Sequence, residues 1–348
     1  MSTHSLGAVR VPPATGPQAA HPAEAANLWR PHAPCTPQVC VAAAGSGRAV
    51  PLAVLRLTAV LLLLVVGFVA IPLSGRIPAG LIRRWCGWVG RAAGVRVRID
   101  GGAAPDGGLL LVANHVSWLD IPLLAAVRPA RMLAKSEIRD WPVAGWLTAR
   151  SGALFIDRDR IRALPGTVAR IAGALRAGEA VAVFPEGSTW CGRAQGRFRR
   201  AAFQAALDAD VPVQPVRLRY RLTRGTPSTA AAFVGEDALL TSVWRVVRAR
   251  GLVAEVEVRE PIVPGRCTDR RELARAAERS VLPGPHEREI LAPGVQHRPV
   301  PRPAGRGLHP GEQPPLDGHV AARADAVHVP QQGGAVPARQ RMAGELPA

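Results

Sequence analysis

Residues 107–127 read GGLLLVANHVSWLDIPLLAAV, and this stretch decides the fold. Two glycines break the chain, and LLLVA follows as five consecutive apolar residues, the length of a strand buried on both faces rather than of a helix. NHVSWLD then interrupts the apolar run with polar groups before IPLLAAV resumes it, so the segment reads strand, loop, helix. The alternation continues downstream. Met132–Ala134, Ala153–Ile156, Ala180–Phe184, Val211–Arg219 and Val253–Val258 are strand-like, with helical stretches at Arg162–Arg176, where Pro165 marks a break or first turn, and at Arg199–Ala209. The pattern implies an α/β fold: a mixed β-sheet flanked by helices. In such sheets the loops at the carboxyl ends of strands hold the chemistry.

Upstream, Leu57–Leu73 reads LTAVLLLLVVGFVAIPL and is preceded by LAVLR, a largely apolar run interrupted by Arg56 and about as long as a bilayer core is thick. The run starts too far from the amino terminus for a cleaved secretory signal to be the better reading. In IPAGLIRRWCGWVGRAAG, Arg83, Arg84 and Arg91 mix with Leu81, Trp85 and Trp88 as in an interfacial amphipathic helix. Two geometries stay open: an amino-terminal membrane helix followed by a surface helix, or a two-helix membrane motif that dips into one leaflet. Arg76, Arg83, Arg84, Arg91, Arg96 and Arg98 cluster after the apolar run, which predicts an inner-membrane location with the following domain facing the cytoplasm. The division expected is 1–45 disordered, 46–95 membrane-anchoring, 96–280 catalytic and 281–348 a disordered tail, because both ends are rich in Pro, Gly, Ala, His and Arg without apolar periodicity.

The 348 residues carry a formal charge of +18, which by itself suggests an anionic partner. Lys135 is the only lysine, so the excess reflects a chain-wide bias toward Arg. Aromatic residues are few and are not interleaved with the basic ones as a stacking platform requires, which argues against nucleic acid as a partner. Cys35, Cys40, Cys86, Cys191 and Cys267 form no CxxC pair and have no histidines at ligand spacing, so no metal site is predicted and the thiols read as unpaired, in a reducing compartment.

Three strand-end segments carry the candidate chemistry. In NHVSWLD, His115 leaves a strand and Asp120 falls on the first turn of the next helix, a spacing that lets a carboxylate hold an imidazole as general base. Asp120 also fits a capping box that starts at Ser117. The other histidines lie in the two ends, leaving His115 the only imidazole of the predicted folded region. GALFIDR ends a strand with Arg158, whose planar fork suits a phosphate or a surface ion pair. VAVFPEGSTW ends a strand in a turn where Gly187 permits close backbone approach and Glu186 supplies a carboxylate for an acceptor hydroxyl or a neighbouring Arg. Lys135 offers a compact ammonium, and Asn114 beside the base joins the substrate-binding candidates. No GxSxG elbow occurs, so Ser117 reads as a cap rather than a nucleophile.

NHVSWLD, GALFIDR, FPEGSTW and VPVQPV, in that order, resemble the four motifs of the glycerolipid acyltransferases, the family of the bacterial 1-acylglycerol-3-phosphate acyltransferases, over roughly residues 85–260. The resemblance implies that His115 and Asp120 are catalytic and that Arg158, Glu186 and Gly187 bind the acceptor. It implies acyl transfer from acyl-CoA or acyl-carrier protein to the free hydroxyl of 1-acyl-sn-glycerol-3-phosphate in the membrane, with no metal or redox cofactor. One position departs from the pattern. After FPEG the family usually has Thr-Arg, where this chain has Ser188 and Thr189, so another lysolipid, such as a lyso-ornithine lipid, is the alternative acceptor. The alternative of a different class is a membrane-tethered basic protein that binds lipid or nucleic acid.

Overall fold

The computed structural model describes residues 33–42, 50–70, 73, 76–102, 104–140, 144–158 and 160–282. In chain order the elements are α1 (Pro37–Cys40), α2 (Val50–Ala70), α3 (Ala79–Ala92), β1 (Arg96–Gly101), β2 (Leu109–Ala113), α4 (Asp120–Val127), β3 (Arg131–Lys135), α5 (Ala144–Arg150) and β4 (Leu154–Ile156). They continue with α6 (Leu164–Arg176), β5 (Ala180–Val183), α7 (Ala201–Ala209), β6 (Val213–Leu222), α8 (Leu239–Arg248), β7 (Leu252–Val258) and α9 (Arg270–Val281).

The strands form one sheet in the order β1-β7-β6-β2-β5-β3-β4. From β6 to β4 every neighbour pair is parallel. β7 runs antiparallel to β6, and β1 pairs parallel with β7, so the expected mixed sheet is observed. β2 sits in the middle, with all five residues buried. Leu109, Leu111 and Ala113 point into one apolar layer with α4 and α8, whereas Leu110 and Val112 point into the other with α6, α7 and α9. Side chains alternate across a strand, so an unbroken apolar pentapeptide is what a two-sided core requires. Each fully buried leucine here contributes about 1.5–3 kcal/mol.

α2 is a helix long and apolar enough to cross a membrane. Among the described residues, a narrow stripe of it packs against other elements. Ala53 and Val60 are buried, and the Trp85 ring of α3 lies against Gly67 with no room for a Cβ, positions spaced by seven along one face. The Arg56 guanidinium donates to the carbonyls of Val247 and Ala249 at 2.8 Å each, at the carboxyl end of α8. Near the other end of α2, the Phe68 ring meets Trp146 of α5 at 4.8 Å. Most other large side chains of α2, Leu55, Leu62 and Val69 among them, are exposed.

The amino-terminal expectation needs correction. Residues 33–42 lie within the segment read as disordered, yet Ala33, Cys35 and Cys40 are buried in the α4/α8 layer. The Ala42 N–H donates to Thr229 Oγ1 at 2.9 Å. Short apolar side chains without periodicity can still be buried when a pre-formed groove supplies the partner atoms. Of the rest of the segments read as disordered, residues 1–32, 43–45 and 283–348 lie outside the described residues, and Val281 closes α9. β1, α5, α8 and α9 were not anticipated; β1 alternates Arg with Val and Ile at a mostly exposed sheet edge, where no continuous apolar run marks it.

Candidate active site

The parallel part of the sheet brings the carboxyl ends of β2, β5, β3 and β4 to one edge, so His115, Glu186, Lys135 and Arg158 all emerge there. β2 ends at Ala113, level with Val216 of β6, which runs on to Leu222. The carboxamide of Asn114 bridges this mismatch. Its Nδ2 donates to the Leu218 carbonyl at 3.0 Å and its Oδ1 accepts from the Leu218 N–H at 2.8 Å. Asn114, expected to bind substrate, thus uses its amide to tie the loop after β2 to β6.

The loop then turns back on itself. Asp120, fully buried at the start of α4, accepts at Oδ2 from the N–H groups of Val116 (2.6 Å) and Ser117 (2.8 Å) and sits 2.8 Å from His115 Nδ1. Ser117 Oγ accepts from the Leu119 N–H at 3.3 Å. Capping and imidazole-holding are therefore one arrangement: the carboxylate that satisfies the loop's backbone donors also grips the histidine. The sequence reading missed Asp120's other partner. Tyr220, the one tyrosine of the chain, donates its hydroxyl to Asp120 Oδ1 at 2.6 Å. The signal was available in the alternation of β6, where Val216, Leu218 and Tyr220 face the core while Arg217, Arg219 and Arg221 face the other side. Burial and the adjacent Asp120 charge push the Tyr220 hydroxyl well above its usual range, so it remains a donor.

The His115 ring stacks on Phe184 with centroids 3.9 Å apart. Its backbone is held on both sides: the Trp190 backbone N–H donates to the His115 carbonyl at 2.8 Å, and the His115 backbone N–H donates to Glu186 Oε2 at 2.7 Å. Glu186 Oε1 accepts from the Gly196 N–H at 3.0 Å. Glu186, expected to hold an acceptor hydroxyl or an arginine, is a buried brace between the first and third motifs. Burial raises its carboxyl to about 8, against the opposing pull of the two backbone donors. Pro185 and Gly187 shape the turn: the Gly187 N–H closes on the Phe184 carbonyl at 3.1 Å, and φ at Gly187 is 78°, a conformation that favours glycine.

Lys135 and Arg158 lie farther out, two and three strands from β2, or about 10 and 14 Å at the usual strand spacing. Arg158 reaches back and donates to the Gly187 carbonyl, and desolvation lowers its pKa. Lys135 is exposed at the end of β3 and does not line the cavity beside the histidine. That cavity, about 260 Å³, is bounded by His115, Trp190, Cys191, Arg193, Arg219 and Tyr220, among others. A wider cleft of about 480 Å³ between Glu260, Cys267, Glu272 and Arg279 contains no histidine; the smaller cavity is the one that His115 lines.

His115, its Nδ1 beside the buried Asp120 carboxylate, lines this cavity, and no other histidine occurs among the described residues. Residues 94–219 match the family model described as Acyltransferase. The lyso-ornithine lipid O-acyltransferase of Pseudomonas aeruginosa is 41% identical over 203 residues, which cover 58% of this chain and 76% of that protein. The chain belongs to the acyltransferase family. That of Brucella abortus is 35% identical over 56% of this acyltransferase and 77% of its own length. The 1-acyl-sn-glycerol-3-phosphate acyltransferase of Neisseria gonorrhoeae is 38% identical over 45% and 62%. The crystal structure of the 1-acyl-sn-glycerophosphate acyltransferase from Thermotoga maritima covers 68% of this chain and 94% of its own, at 20% identity and a TM-score of 0.47. As an acyltransferase, the chain is an enzyme, and the reading as a basic binding protein is set aside.

Proposed function

We propose that this acyltransferase moves an acyl chain from acyl-CoA or acyl-carrier protein to the hydroxyl of a lysolipid by general-base catalysis at His115. The observation that carries the reading is the His115 Nδ1 to Asp120 Oδ2 contact of 2.8 Å beside the cavity. The lysolipid hydroxyl oxygen attacks the thioester carbonyl carbon while its proton passes to His115 Nε2. Asp120 stabilises the imidazolium that forms. As the tetrahedral species collapses, the C–S bond breaks, the acyl group stays on the lipid oxygen, and the proton returns from the imidazolium to the leaving thiolate. Ser117 is fully buried and capped on Leu119, which supports direct transfer without an acyl-enzyme.

For the acceptor we favour a lyso-ornithine-type lipid. The cavity wall formed by β6 presents arginines already compensated by β7: Arg219 lies 3.2 Å and Arg221 3.1 Å from Glu255, and Arg217 3.9 Å from Glu257. A phosphate monoester, with nearly two negative charges, calls for uncompensated cations, whereas a wall of both signs suits a headgroup bearing both an amine and a carboxylate. The second reading, 1-acyl-sn-glycerol-3-phosphate with phosphatidate as product, is favoured by Arg193 at the cavity and Arg158 beside the third-motif turn.

Attachment to one leaflet of the inner membrane, on the cytoplasmic side, fits the same geometry. α2 touches the catalytic domain at Arg56 and again at Phe68, about 18 Å apart along the helix. A spanning helix with its domain on one side would hold only one of these contacts, so they support the two-helix motif that dips into the bilayer. The deciding experiment presents purified enzyme in lipid vesicles with labelled acyl-CoA and a panel of lysolipids. Acylation of lyso-ornithine lipid at higher kcat/KM than 1-acylglycerol-3-phosphate is expected, and His115→Ala should lose at least ~10²-fold in turnover. Near-normal transfer by folded His115→Ala refutes the mechanism, and preference for the phosphate acceptor, with Arg158→Ala selectively losing it, installs the second reading.

A further inference from the structure

Cysteines from two distant stretches of sequence meet beside the loop that carries His115. Cys35 and Cys40 come from the strap at residues 33–42, and Cys191 follows the third motif. All three are buried, and their sulfurs lie within 4.8 Å of one another. The strap is fixed around them: the Cys40 N–H bonds the Thr36 carbonyl at 2.9 Å, and Ala42 is tied to Thr229. Three points no more than 4.8 Å apart lie within about 2.8 Å of a common centre, and thiolates around a tetrahedral zinc stand about 3.8 Å apart with bonds of about 2.3 Å. Contraction by less than an ångström per sulfur therefore builds the site.

We propose that Cys35, Cys40 and Cys191 bind one thiophilic divalent cation of the zinc class, clamping the amino-terminal strap to the catalytic loop. Gly192 adopts φ 84°, so the chain turns immediately after Cys191. Three thiols buried together can all be deprotonated only against a counter-cation, which a bound metal supplies. Three protein ligands leave a fourth tetrahedral position for water. Cys191 also lines the His115 cavity, which provides the entry path. The metal would act at a distance from the chemistry: Trp190, next to Cys191, donates to the His115 carbonyl, so the clamp sets the loop that carries the base.

The test measures metal content, not activity. Full-length enzyme is purified under reducing conditions, equilibrated with zinc, desalted and analysed by elemental mass spectrometry. About one zinc per chain is expected in wild type and in Cys267→Ser, falling at least ~5-fold in Cys191→Ser and in the Cys35→Ser/Cys40→Ser double variant. Cobalt in place of zinc should give a thiolate charge-transfer band that the same variants lose. Should those variants fail to fold, the wild type decides: titration with a mercurial reagent should release the zinc stoichiometrically as the five thiols react. Wild type that stays metal-free with all five thiols titrating freely overturns the proposal, as does a disulfide between any two of Cys35, Cys40 and Cys191 in non-reduced peptide maps.

Discussion

Tyr220→Phe isolates one bond on which the site depends. The ring is fully buried, and the substitution keeps its volume, so packing changes little beyond the hydroxyl. What is lost is the 2.6 Å donor to Asp120 Oδ1, on a carboxylate with no solvent exposure. A hydrogen bond to a charged, buried acceptor is worth about 1.5–3 kcal/mol, and that loss should appear first as reduced unfolding free energy in detergent. The second effect concerns chemistry. Deprived of one anchor, Asp120 holds less firmly the imidazole 2.8 Å away. If half of the lost free energy is transmitted to the transition state, kcat falls about 3- to 12-fold, about 1.4 kcal/mol being tenfold. The assay is acyl transfer from acyl-CoA to a lysolipid, with denaturant unfolding of the same preparations. A stability loss below about 0.5 kcal/mol, or an unchanged kcat, refutes Tyr220 as the residue that positions Asp120.

Glu186 makes a pH prediction of definite sign. Its carboxyl, raised from 4.5 to about 8 by burial, takes up a proton on folding between those values, so its contribution to stability is present below pH 4.5 and is lost as pH rises toward 8. The stability of wild type relative to non-titrating Glu186→Gln should therefore be greatest below pH 4.5 and shrink as pH rises to about 8; a difference independent of pH contradicts burial as the cause. Arg56→Met should leave two carbonyls at the end of α8 without their donor, lowering stability by about 1–3 kcal/mol. Unchanged thermal unfolding of that variant would show that α2 does not dock on the catalytic domain.

The sequence by itself determined the histidine, its carboxylate and the sheet apart from its β1 edge. A five-residue apolar run can be buried on two faces only as a central strand, and NHVSWLD confines His115 and Asp120 to one turn of chain, where backbone geometry alone brings them together. The roles of Glu186 and Asn114 were not legible. Each is a polar side chain at a strand end, equally able to face a ligand or a neighbouring loop, and only the packed position of Gly196 or Leu218 assigns its partner. Tyr220 lies 100 residues from Asp120, and the register of β6 against β2 decides that its hydroxyl arrives at the second carboxylate oxygen. The strap at residues 33–42 was misread for the same reason. Its composition promised too little apolar surface to order itself, but the groove it fills belongs to residues nearly two hundred positions later, at Thr229 and Gly235. Local pattern sets which segments form strands and helices; contacts between distant segments set which polar atoms are satisfied, and these required the tertiary structure.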